Sequence, residues 1–89
     1  MSTITLETMQ QDPLVMSVAR ALTLANETAR RYAMELAHSV VTISEETTPE
    51  GRLWRIHYGP QDYIARRGGD LTVFVDGSGD AVKRILSGQ

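Results

Sequence analysis

Between Leu14 and Leu36 apolar residues recur every three or four positions: Leu14, Val18, Leu22, Ala25, Ala29, Tyr32 and Leu36. That spacing predicts one amphipathic helix, with Arg20, Thr23, Glu27, Arg31 and Glu35 on its opposite face. Asp12-Pro13 supplies an N-cap followed by proline at the first helical position, so the helix is expected from Pro13 to His38. A rival reading breaks it near Leu22, with Thr23 capping a second helix; the unbroken phase of the stripe favours one element. Residues 1–11 show no clear period and read as a loosely ordered arm.

After His38 the period falls to two. SVVTISEE sets Val41 and Ile43 on one face of a strand and Thr42 and Ser44 on the other. Thr47 to Gly51 is a turn. RLWRIHYG then gathers Trp54, Ile56 and Tyr58 on one face, with Arg55 and His57 opposite. DLTVFVD aligns Leu71, Val73 and Val75, and DAVKRILSGQ reads as a last strand with Val82, Arg84 and Leu86 facing one way. The expected fold is α+β: one long N-terminal helix on a curved antiparallel sheet of three to four strands, an α-β-β-β-β meander. Residues 1–89 form a single domain, with the sheet in 39–89.

The lengths in this layout disagree. A helix of about 26 residues spans roughly 39 Å, whereas a strand of about eight residues spans roughly 26 Å. The helix should overhang its sheet and leave Leu14, Val15 and Val18 seeking cover. The arm, a second copy of the chain or a different protein could supply it, which points to a protein that works by contact and offers a homodimer surface.

Composition narrows the partners. A net charge of −2 and an isoelectric point near 5.6 lack the clustered basic footprint of a nucleic-acid binder. No run approaches the roughly 18 apolar residues of a membrane span, and the N-terminus carries no secretory pattern, so a cytoplasmic location is expected. The absence of cysteine excludes disulfides and thiolate metal sites.

The segment GGDLTVFVDGSGD, Gly68 to Asp80, is the most site-like in composition. A phosphate-binding loop needs Lys-Ser/Thr opening a helix after the glycines, and none follows. Asp76, Ser78 and Asp80 match the first three ligands of a calcium loop, but Ala81 and Ser87 stand where glycine and glutamate are required. Gly, Ser and Asp are instead what a hairpin turn demands. Neither histidine has a metal-ligand spacing. His38 suits a helix C-terminus, and a His57–Asp62 dyad is conceivable but carries little weight against a surface or packing role. No catalytic, cofactor or metal residues are assigned. The loop GPQDYIARRGG, Gly59 to Gly69, mixes Tyr with two arginines, the types enriched at binding hot spots. It reads equally as a functional loop and as a solvated connection. Glu45, Glu46 and Glu50 form an acidic edge, either solvated or a docking patch for a basic partner.

The runs LWRIHYGP, GGDLTVFVD and AVKRILSGQ together resemble small bacterial toxin-immunity proteins of the nuclear-transport-factor-like (cystatin-related) fold. Trp54, Tyr58, Gly59, Gly68, Gly69, Asp76, Val82, Gly88 and Gln89 carry the resemblance, which covers Arg52 to Gln89 with a looser match over Ala29 to Leu36. The hairpin tip departs from the family pattern: Gly77 replaces its lysine, Asp80 its glycine, and glycine shifts to Gly79. The resemblance implies a protein that binds and neutralises a cognate toxin, without enzyme activity or cofactor. Contacts are then expected at Tyr58, Gln61, Asp62, Tyr63, Arg66, Arg67, Glu45 and Glu46. The competing classes are a small ligand-binding or enzymatic protein of the same fold, and a homodimeric structural module.

Overall fold

The computed structural model describes residues 4–60 and 70–87. The N-terminal arm contains a short helix, α1 (Leu6–Gln10), whose first turn is capped by Thr5 Oγ1 accepting from the Thr8 amide at 3.1 Å. The main helix, α2, spans Pro13–Arg31. Its start is as expected: Asp12 Oδ1 accepts from the amides of Leu14 (3.0 Å) and Val15 (3.1 Å), satisfying two donors that the helix itself cannot.

Its end corrects the expected Pro13–His38 element. Tyr32 caps the helix, Ala33 turns into the left-handed region (φ 60°), and the Met34 amide donates back to the Ala29 carbonyl at 3.0 Å. The Ala33 amide bonds to Arg30 at 3.1 Å, completing a Schellman stop. A 3-10 turn at Leu36–His38 leads into the sheet. At 19 residues α2 is roughly 28 Å long instead of about 39 Å, which removes most of the expected length mismatch with the sheet. Even so, Leu14 and Val15 stay exposed while Val18 packs against the core.

The sheet is an antiparallel meander of β1 (Ser39–Thr48), β2 (Gly51–Pro60), β3 (Leu71–Asp76) and β4 (Val82–Ser87), in spatial order β1-β2-β3-β4. The first turn is tighter than expected. Pro49 and Glu50 alone separate the strands, Gly51 adopts φ 128°, and Thr48 Oγ1 donates to the Gly51 carbonyl at 2.8 Å. In register, Tyr58 lies between Val41 and Leu71, Ile56 between Ile43 and Val73, and Trp54 between Glu45 and Val75. These β2 and β3 residues form the core face, all buried.

Helix α2 covers β3, β2 and β4. The residues it buries are small: Ser17, Ala21, Ala25, Thr28 and Ala29. Val18, Leu22 and Leu24 flank this stripe and are only partly covered. The bulk between helix and sheet therefore comes from the strands, and the helix contributes a smooth ridge that lets them approach. On β4 a bulge beside Phe74/Val75 leaves Lys83 unopposed, since Val82 faces Val75 and Arg84 faces Phe74. Val82 and Ile85 consequently lie on the helix side and Arg84 and Leu86 on the other, which corrects the single face expected for Val82, Arg84 and Leu86. Among the described residues no helix is long and apolar enough to cross a membrane.

Candidate partner-binding end of the molecule

At one end of the sheet the start of α2, the β1–β2 hairpin and the β3–β4 turn converge, with Arg52 at the centre. Its Nη1 lies 3.2 Å from Glu45 Oε2, its Nη2 donates to the Gly77 carbonyl at 3.0 Å, and its guanidinium sits 5.5 Å from the centre of the Trp54 ring. Trp54 Nε1 donates to the same carbonyl at 3.1 Å, and the Gly77 amide donates to the Arg52 carbonyl at 2.9 Å. A β carbon at Gly77 would lie 2.8 Å from Arg52 Nε, so only glycine lets the turn sit this close.

The DGSGD turn closes on itself as well. Asp76 Oδ1 accepts from the Ser78 amide (3.0 Å) and hydroxyl (3.1 Å), and the Ser78 hydroxyl also lies 2.9 Å from Asp80 Oδ2. These bonds from Ser78, backbone first, hold the Asp76 carboxyl below its usual range, with Lys83 and Arg52 adding smaller attraction against a small burial cost. The aspartates that resemble calcium ligands are thus occupied in shaping the turn. Gly79, at φ 82°, presses against α2: an added β carbon would fall 2.6 Å from Arg20 Cβ and 2.9 Å from the Ser17 carbonyl.

Two open grooves flank Arg52. One, of about 470 Å³, is lined by Pro13, Leu14, Ser17, Arg20, Arg52, Gly77 and Ser78. The other, of about 590 Å³, lies toward Lys83, Arg84, Glu50 and Leu53. Beside the first, α1 packs on α2, yet Leu6, Met9, Leu14 and Val15 remain 66%, 39%, 54% and 38% exposed.

The residues expected to contact a partner are distributed unevenly around this end. Glu45 belongs to it through Arg52. Glu46 lies on the opposite face of β1, 3.9 Å from Arg55 Nε. Tyr58 is fully buried, and its hydroxyl donates to Asn26 Oδ1 at 2.6 Å, so it ties β2 to α2 and offers no surface. Burial pushes that hydroxyl up to about 12 against a small opposing pull from Arg30. Gln61, Asp62, Tyr63, Arg66 and Arg67 lie outside the described residues, as do Gly68, Gly69, Gly88 and Gln89.

His57 Nε2 lies 3.1 Å from Asp70 Oδ2 on the face away from the helix, beside Thr72. The sequence pattern gives no sign of this pairing, since Asp70 reads as the first residue of a strand. Arg52 as the hub is only partly legible in the sequence. Its signal is local: an arginine two positions before a tryptophan shares its strand face and can lie over the ring. Among the described residues no group of three side chains is placed to hold a metal ion. No family model, no curated protein and no solved structure matches this chain.

Proposed function

We propose that the chain is an immunity protein that binds a cognate bacterial toxin directly and blocks it, acting in the cytoplasm of the cell that carries both genes. The observation supporting contact is the apolar surface left at the α1–α2 corner, where Leu6, Met9, Leu14 and Val15 stay exposed after α1 has packed. Arg20, Arg52 and Glu45 rim it across the adjoining groove. An apolar centre with a charged rim is the usual composition of a protein interface, and an exposed apolar patch of this kind marks an interaction site on small proteins. The toxin as occupant rests on the resemblance carried by Arg52 to Gln89.

The test is co-expression with the protein encoded beside this chain. The neighbour alone should arrest growth, and this chain should restore it and co-purify with the neighbour. Replacing Leu14 and Val15 by aspartate should abolish both effects while keeping the fold, because acidic residues are well tolerated in the first turn of a helix. A harmless neighbour that does not bind would overturn the proposal.

A further inference from the structure

We propose that two copies of this chain pair through β1, antiparallel and centred on Thr42, joining their sheets into one continuous eight-stranded sheet. The inference depends on β1 alone and stands apart from the toxin-binding reading.

Strand β1 is an outer strand of the sheet, and α2 packs on the other three. On the helix side of β1, Val41 and Ile43 are therefore each 39% exposed, and on the other side Val40 is 51% exposed. The two outer strands differ in how they are protected. Sheet edges are ordinarily blunted by lysine, proline, bulges or shortness. Strand β4 has six residues, carries Lys83 and Arg84, and is bulged. Strand β1 runs ten residues in unbroken register with β2, without lysine, proline or bulge. Its two charges, Glu45 and Glu46, are each drawn toward an arginine of β2.

The self-pairing register follows from side-chain alternation and charge. A two-fold axis normal to the sheet keeps like faces together, so odd-numbered residues oppose odd and even oppose even. Centred on Thr42, Val41 meets Ile43 of the second copy twice over, Val40 meets Ser44, and Glu45 meets Ser39. Glu46 then falls opposite the 3-10 turn that precedes the strand, clear of the glutamates of the second copy. Centring on Ile43 would instead set Glu45 against Val41 and Glu46 against Val40. Centring on Val41 would leave Ile43 against Ser39. The Thr42 register alone gives both Val41 and Ile43 an apolar partner, whereas each neighbouring register pairs only one of them, with itself, and leaves the other against a polar residue.

The chain has no cysteine, which makes the test direct. Thr42→Cys would place two thiols across the axis at a Cα separation of about 4.5–5.5 Å, within disulfide reach. Val40→Cys lies on the same face and is also exposed, but its two copies would be about 13 Å apart. Under mild oxidation Thr42→Cys should become covalently dimeric while Val40→Cys stays largely unlinked. Light scattering of the native chain should give twice 9.9 kDa, and the double substitution Val41→Lys, Ile43→Lys should return it to the single mass. Should that variant unfold, the cysteine pair decides alone. A monomeric native chain, equal linking of the two cysteine variants, or a dimer indifferent to the folded lysine variant would each overturn the proposal.

Discussion

Gly79 shows how one residue can serve the fold at a place that reads as a ligand loop. Its positive φ and its closeness to Arg20 and Ser17 act together, because a side chain would strain the backbone and push the turn off α2. Gly79→Ala should lose about 2–4 kcal/mol in chemical denaturation. Ala33 is the reverse case, a residue with a β carbon in a position that favours glycine. Ala33→Gly should raise stability by about 0.5–1 kcal/mol. That substitution also explains the misjudged helix end: Schellman stops are recognised by glycine or asparagine, and alanine continues a helical pattern. Tyr58 links a buried hydroxyl to pH. Since its folded value is raised to about 12, its contribution is complete below pH 10 and is lost as pH rises from there through 12. Tyr58→Phe should flatten the fall in melting temperature over that window, while losing about 1–2 kcal/mol at neutral pH for the unpaired Asn26 oxygen.

Among the elements, the alternation in β2 was legible because period two separates its core face from the other. Strand β3 is buried on both faces, Thr72 and Phe74 included, and only Leu71, Val73 and Val75 mark its helix side. Trp54, Ile56, Tyr58, Leu71, Val73 and Val75 all took the expected side. The buried face of α2 was harder to read. Helical spacing placed Ala25 and Ala29 on the buried face but put Leu14 and Tyr32 with them, which stay exposed. It passed over Ser17, Ala21 and Thr28, the small residues that packing on a bulky sheet selected. Ala25→Leu should therefore cost about 1–3 kcal/mol by overpacking, read from the denaturation midpoint, although it raises helix-face hydrophobicity. The β4 bulge escaped notice for a related reason: it is a property of the pairing with β3, and nothing in the local pattern of DAVKRILSGQ announces it. The Arg52 cluster likewise depends on a turn 25 residues away, so only its cation–π half was within reach of the sequence.

Across the whole molecule, two surfaces carry what the core does not use. The α1–α2 corner gathers exposed apolar groups beside the Arg52 cluster, and β1 presents a long unblunted edge. If the first holds a toxin, as proposed, and the second another copy of the chain, a dimer would present two such corners. Calorimetric titration of the purified chain with the purified product of the neighbouring gene decides whether the α1–α2 corner holds a toxin. Binding should saturate at one partner per chain and be eliminated by Leu14→Asp with Val15→Asp in a folded protein. No binding by the native chain, or undiminished binding by that variant, would contradict the toxin-binding proposal.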